Sequence, residues 1–260
     1  LPDRQDEIGM LARAVADMTD ALRHRIDAVE HFAADVAHEI KNPLASLRSA
    51  TESLSHVDDP ELRAQLLDIA THDVRRIDRL VTEISDASRI DAELSRATFE
   101  PVDLIALIAN IIERRRNRGI DQGRSVVFEH AAKAAWTMGV PERLERVIDN
   151  LLDNAVSFSP EKGTVRVTIA HDRDALVTMV MDEGPGIAPD SRDKVFERFH
   201  SDRPETEGFG NHSGLGLAIG RTIAEAHGGM LSVHDRPDGG EGACLVLDLP
   251  ALRDDSANGA

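Results

Sequence analysis

Asn150 and Asn154 in "DNLLDNA" stand four residues apart, which on a helix puts both amides on one face. Amide oxygens are hard donors suited to Mg2+, an ion that keeps waters and substrate phosphates in the rest of its octahedral shell. Taken alone, such a pair more often serves as surface or capping residues. "DEGPGI" sets Asp182, Gly184 and Gly186 directly after an apolar run. Its glycines let backbone approach a flat ligand, and a buried carboxylate there could accept a hydrogen bond from an exocyclic amine. By itself the motif is more often an ordinary strand-end turn. "SGLGLAIG", with Gly214, Gly216 and Gly220, opens a helix. Its unpaired N–H groups and positive dipole end suit a phosphate, though helix caps use glycine freely. Between the last two motifs, "FERFHSDRPETEGFGNH" has the polar, glycine-rich composition of a lid over a nucleotide.

A fourth stretch lies far upstream. "DVAHEIKNPLASL" places Pro43 inside a helical pattern, one turn past His38 and Glu39. Proline in a helix interior removes a hydrogen bond, clashes with the preceding turn and costs about 3 kcal/mol. The N–H missing at Pro43 is the one that would serve the Glu39 carbonyl, so the weak point belongs to the acid beside the histidine.

These residues need elements to hold them. Ile8, Leu11, Val15, Met18 and Leu22 recur at spacings of three and four, which predicts a helix over 1–28. Phe32, Val36, Ile40, Leu44, Leu47 and Leu54 continue the period in a second helical stretch. "SHVDDPE" stops it, with Asp58 or Asp59 as cap and Pro60 at a first helical position. The next helix carries Leu62, Leu66, Ile69, Ile77, Leu80, Ile84 and Leu94. Two long helices joined by a short turn form a hairpin whose apolar stripe is covered most simply by a second copy, a dimeric four-helix bundle. A plain coiled-coil spacer is the competing pattern.

After "ATFEPVDL" (97–104) the character changes. Residues 105–112 read as a helix, "SVVFEH" as a strand, and "PERLERVIDNLLDNAVSF" as a helix opening with Pro141. "TVRVTIA" and "ALVTMVMDEG" read as strands separated by a turn at "HDRD"; a helix at "GLGLAIGRTIAEAHGG" precedes strands "MLSVHD" and "GACLVLDLP". Helices and hairpins in this order predict an α+β two-layer sandwich. The expected division is 1–28, 29–96, 97–252 and a frayed tail at 253–260.

Composition narrows the functions. The chain has 260 residues and a formal net charge of −17, which argues against nucleic acid, because phosphate backbones bind basic surfaces. Hydrophobic residues make up 41%, enough for globular cores. The single cysteine, Cys244, excludes a disulfide framework and a thiolate metal cage and fits a reducing cytoplasm. No run approaches the ~18 apolar residues of a membrane span. The first residue is Leu, so the sequence reads as the cytoplasmic piece of a longer protein.

Order and spacing carry more than any one motif. Asn150/Asn154, then Asp182 to Gly186, then "FERF" (196–199), then "GLGLAI" (214–219), resembles the N, G1, F and G2 boxes of sensor histidine kinases. "HEIKNPL" (38–44) is similar to their H box, and "DRQDEIGMLARAVADM" to the end of a HAMP signalling module, which normally follows a transmembrane helix. "HDVRRIDRL", "SDASRIDAELSRA" and "SDRPE…FG…SGLGL" further resemble the ChvG/ExoS group of envelope-sensing kinases.

The resemblance implies a dimerisation and phosphotransfer hairpin followed by a GHKL (Bergerat) ATP-binding sandwich, using ATP and Mg2+. His38 would take the γ-phosphoryl group, with Glu39 accepting the imidazole proton or fixing its tautomer. His31 is the nearest rival but is followed by Phe32 rather than an acid. Asn42, one turn on, would orient water for dephosphorylating a response regulator. Asn154 would ligate Mg2+, Asn150 would stand at the phosphates and Asp182 would read adenine. Gly184, Gly186 and Phe199 would shape the pocket, and Gly214, Leu215 and Gly216 the phosphate-facing turn of the lid. The implied partners are a second copy and a response regulator, ChvI-like within the finer group, in a parent at the inner membrane. One departure stands out: Ser157 occupies a position that is usually basic, with Arg198 or a lid arginine as the candidate substitute. Two other classes compete. An ATPase or chaperone of the same nucleotide fold has no use for "HEIKNPL", and a scaffold with a decayed site has no reason to keep the boxes.

Overall fold

The computed structural model describes residues 6–94, 97–121, 123–200 and 214–252. The tail at 253–260 and most of the candidate lid lie outside them. The chain divides into two compact units, Leu1–Val81 and Thr82–Ala260.

The first unit is a helical hairpin. α1 (Glu7–Leu54) is one helix of 48 residues, joining the two stretches over which the period continues, and it runs through Pro43. α2 (Pro60–Leu94) begins at the expected proline. Of the two candidate caps Asp59 does the work: its Oδ1 accepts the Glu61 N–H at 2.9 Å, satisfying a donor that the helix leaves unpaired. Arg63 reaches back to the Leu54 carbonyl at the end of α1 and the Val57 carbonyl of the turn, at 3.1 and 3.0 Å. Pro43, Ala50 and Leu80 are buried. Leu11, Val15, Met18 and Leu22 of the predicted stripe are exposed, as are Leu44, Leu62 and Ile69. The side chains of Ile8 and Leu94 lie outside those described.

The second unit is the α/β sandwich. β1 (Glu100–Asp103) leads into α3 (Leu104–Arg118), followed by β2 (Ser125–His130), β3 (Trp136–Gly139), α4 (Pro141–Phe158), β4 (Thr164–Asp172), β5 (Ala175–Met181), α5 (Gly216–Ala226), β6 (Met230–His234) and β7 (Cys244–Pro250). The main sheet has the order β2-β4-β5-β7-β6, with β2 parallel to β4 and every other pair antiparallel. Alternation along the strands sends Val165, Val167, Leu176, Val180, Leu245 and Leu247 to one buried face. Ile108, Ile111, Leu144, Ile148, Leu151, Leu152 and Ile223 of the helices complete that core, each at most 1% exposed. Burying such a side chain contributes roughly 1.5–3 kcal/mol, so the sandwich is closed by its own helices.

Three local expectations change. α3 extends past Ile112 to Arg118, because Glu113 to Arg116 are good helix formers without an apolar period; Gly119 ends it at φ +64°. "EPVD", which the sequence pattern assigns to no element, is a strand paired with β3 in a separate two-stranded sheet. A four-residue strand containing Pro101 has no periodicity to read. His171 and Asp172 belong to β4, so the turn shrinks to Arg173 and Asp174.

Candidate functional site

Asp182 sits at the end of β5, 2% exposed, where the strand pair opens. Its backbone N–H donates to the Ala243 carbonyl at 3.0 Å. Its Oδ1 accepts the N–H groups of Gly184 at 2.9 Å and Ala243 at 3.0 Å. Two backbone donors on one oxygen fix the carboxylate's direction, and among the described residues Oδ2 has no hydrogen-bond donor. Burial pushes the carboxyl above its ordinary range, and the two backbone bonds and the Arg236 guanidinium only partly offset it. A buried acid held this way is suited to accept from an amine.

The glycines around it are required by space. A Cβ on Gly184 would stand 2.8 Å from the Phe158 carbonyl, so the turn after β5 rests against the end of α4. Gly186 has φ +77°. Asn150, on α4, donates through Nδ2 to the Gly216 carbonyl at 2.9 Å, which ties the helix to the start of α5. Asn154 stands one turn further along α4, half-buried, between the Asn150–Gly216 bond and the Phe158–Gly184 contact. Three motifs spread over some 65 positions therefore border one place.

Leu215 is fully buried and anchors the first turn of α5, its carbonyl accepting the Ile219 N–H at 2.9 Å. Phe199 adopts φ +61°, rare for a residue with a side chain, and donates its N–H to the Gly214 carbonyl at 3.0 Å. Gly214 has φ +72°, and a Cβ there would lie 2.7 Å from Phe199 backbone. The two ends of the candidate lid are thus joined at their base; residues 201–213 between them lie outside those described. Ser157 and Phe158 are half-buried and Arg198 is exposed.

In the hairpin unit, His38 and Asn42 are exposed on α1, one turn apart. Glu39 is half-buried and paired across the hairpin with Arg76 of α2 at 3.1 Å. The pairing was not foreseen, since nothing local in the sequence joins positions so far apart.

Arg236 and Gly242 were also missed. Arg236 donates to the Asp182 carbonyl at 2.8 Å and the Glu241 carbonyl at 3.0 Å, and is itself held by Asp238, whose carboxyl it draws down to about 2. Gly242 has φ +125°, and a Cβ there would fall 1.9 Å from the Asp182 carbonyl oxygen. The loop "RPDGGEG" is therefore built against the back of Asp182. Its glycine cluster was the available signal.

A metal here would have few protein ligands: among the described residues no group of three His, Cys, Asp or Glu side chains could hold one. The half-buried Asn154 amide fits an ion that arrives with phosphates and keeps most of its shell from them and from water. No helix among the described residues is long and apolar enough to cross a membrane.

Comparison with known proteins adds independent findings. The His Kinase A (phospho-acceptor) domain matches residues 28–93. The histidine kinase-, DNA gyrase B- and HSP90-like ATPase domain matches residues 139–253. Sensor protein ChvG of Agrobacterium fabrum is 46% identical over 265 residues, covering 96% of this chain and 44% of that protein. Sensor protein ChvG of Rhizobium meliloti is 47% identical over 264 residues, covering 96% and 46%. The chain thus spans less than half the length of either relative. Among solved structures, histidine kinase ThkA in complex with response regulator TrrA superposes with a TM-score of 0.72 at 24% identity, covering 88% of this chain and 64% of that one. At that identity it speaks for the fold alone. Full-length ShkA in complex with AMPPNP gives a TM-score of 0.55 at 27% identity, covering 83% and 44%.

Proposed function

The chain belongs to the sensor histidine kinases, and from that premise we propose that it is the ATP-dependent autokinase part of a ChvG-type two-component sensor. The observation that carries the proposal is Asp182: a buried carboxylate with one oxygen fixed by two backbone donors and the other left for a ligand amine. Adenine presents such an amine. Gly184 and Gly186 leave room for the ring, Phe199 borders it, and Asn150, Gly214, Leu215 and Gly216 stand where the phosphates run.

Asn154 would hold Mg2+, which would supply neutralisation of the phosphate charge during transfer. Within that frame the chain's own groups do the positioning. A lone pair on the His38 imidazole attacks the γ-phosphorus, the bond from that phosphorus to the β,γ-bridging oxygen breaks, and ADP leaves with its electrons. The remaining ring proton passes to Glu39 once Arg76 releases it, or to water. The phosphorylated His38 then passes the phosphoryl group to an aspartate of a response regulator, ChvI-like in this group, and Asn42 orients water for the reverse duty of dephosphorylating it. ThkA, in its complex with TrrA, has a regulator partner of this kind.

A homodimer covers the exposed stripe of α1 and α2, with residues 29–96 as the phosphotransfer domain, 97–252 as the catalytic domain and 1–28 as the end of a HAMP module. A preceding membrane-bound portion would place this piece on the cytoplasmic side of the inner membrane. Pro43 lets α1 bend beside Glu39, and Pro43→Ala shifts the balance of kinase and phosphatase activities.

The test is autophosphorylation with γ-labelled ATP and Mg2+, comparing the parent with His38→Gln. Acid-labile label on the parent and none on the variant is the expected result. Label on both would assign the wrong histidine, and no label on either would remove the kinase.

A further inference from the structure

Arg115, near the end of α3, is a buried cation with a side chain only 5% exposed. Its Nε donates to Asp121 Oδ1 at 2.9 Å, and its Nη1 donates to Asp153 Oδ1 at 2.7 Å and to Asp149 Oδ1 at 3.4 Å. Asp149 and Asp153 are the residues immediately before Asn150 and Asn154. One guanidinium therefore grips the side of α4 next to the face that carries both amides. Neighbouring residues on a helix point about 100° apart, so holding the aspartates sets the rotation of the helix and with it the aim of the asparagines. Arg114 pairs with Glu145, one turn before Asp149, and extends the same row. The Asn150–Gly216 bond holds the opposite flank.

Charge gives the arrangement a second consequence. Burial works against the Arg115 charge, and Asp153 and Asp121 more than restore it; burial likewise lifts the Asp149 carboxyl against the pull of Arg115. Without the guanidinium, two carboxylates would stand uncompensated beside the two amides proposed to face a triphosphate. Fork geometry matters as well as charge, because Arg115 reaches Asp121 and the α4 pair through different nitrogens, which a lysine cannot do.

We propose that Arg115 is a positioning residue for the nucleotide: it aims Asn150 and Asn154 and screens the triphosphate from Asp149 and Asp153. The role rests on α4 carrying the Mg-ATP site, as proposed above. The competing role is an ion pair that merely fastens α3 to α4.

Calorimetric titration of the full chain with Mg-ATP separates these, with unfolding followed through Trp136, the only tryptophan, which lies in the same unit. Arg115→Gln is expected to raise the Kd for Mg-ATP about tenfold, and Arg115→Lys about threefold, since it keeps the charge and loses the fork. Adding Asp149→Asn and Asp153→Asn to Arg115→Gln removes the repulsion and recovers that part of the loss, while the part due to lost aim remains. Raising the salt narrows the gap between Arg115→Gln and parent, because repulsion is screened. A purely fastening role gives folded variants with lowered thermal stability and parental Kd, which overturns the proposal; a loss that neither salt nor the asparagines repair overturns the screening role. If Arg115→Gln does not fold, Arg115→Lys with and without the two asparagines carries the same comparison. A parent that binds no Mg-ATP overturns the ATP site itself, whereas a parent that binds and a variant that binds equally well overturn the Arg115 role alone.

Discussion

The two units handle their apolar residues in opposite ways. In the hairpin, α1 and α2 expose Leu11, Val15, Met18, Leu22, Leu44, Leu62 and Ile69, while Ala50 and Leu80 are buried. In the sandwich, α4 alone buries Leu144, Val147, Ile148, Leu151 and Leu152 completely. Two helices offer each other one stripe and leave the remainder of their apolar surface open, whereas a sheet covered by three helices closes upon itself. The sandwich closes its core within one chain, whereas the hairpin leaves an apolar stripe open. The buried carboxylate of Asp182 sits in the closed unit, and the exposed His38 sits in the open one.

The contrast breaks most visibly by exchanging the kind of damage done to each unit. Leu151→Ala empties a fully buried position and should cost about 2–5 kcal/mol, read as an earlier transition in the Trp136 fluorescence during urea unfolding. Leu22→Glu, at an exposed position of α1, should leave that transition in place and instead weaken self-association by about a hundredfold, because the side chain is lost from both copies at the interface. Sedimentation across a concentration series reads the second effect. A parent that stays monomeric throughout, or a Leu22→Glu chain that associates as before, would remove the second copy as the cover of the stripe.

A smaller effect isolates the site within the closed unit. Gly242→Ala places a Cβ where the Asp182 carbonyl oxygen already stands, at a φ of +125° that a side chain rarely tolerates. The expected cost is about 1–3 kcal/mol, accompanied by weaker ATP binding as the Asp182 backbone shifts. Unchanged nucleotide affinity in a folded Gly242→Ala chain would mean that the loop does not set the aim of Asp182.

What could be read in advance follows the same division. Long helices, the Asp59–Pro60 start of α2, the glycine-led helix α5 and the core strands all carry local patterns, and the structure has them at or near the expected positions. The motif residues converge as their order implied, through Asn150–Gly216, Phe158–Gly184 and Phe199–Gly214. Contacts made by long-range pairing had no such pattern. Glu39 and Arg76, Arg115 and Asp153, and Arg236 and the Asp182 carbonyl are each brought together by folding across more than 30 positions. β1 escaped for the same reason, since "EPVD" becomes a strand only because β3 lies beside it. Motifs name the candidate groups for a ligand; the groups that hold those in place are chosen by the fold.

The smallest expected effect sharpens the comparison through pH. His227, at the end of α5, is 5% exposed, whereas His38 and His56 of the hairpin are exposed. Its Nδ1 bonds the Ile223 carbonyl at 2.7 Å, and its Nε2 accepts the Val140 N–H at 3.1 Å, so the neutral ring with the proton on Nδ1 links α5 to the start of α4. A proton on Nε2 would face the Val140 donor, and burial pushes the imidazole below its ordinary value of 6.5. The unfolded chain therefore binds a proton more readily than the folded one. The stability His227 contributes is fully present above pH 6.5 and is lost as pH falls through the lower folded value. Asp182 and Asp149 work in the other direction, because their raised folded values favour protonation in the folded chain at more acid pH. Both remain in His227→Gln, so subtracting the variant's unfolding free energy from the parent's at each pH cancels them. The parent should lose its advantage over the variant as pH falls below 6.5, in the Trp136-reported transition. Parallel pH profiles would show that the buried ring is not what makes the closed unit acid-sensitive.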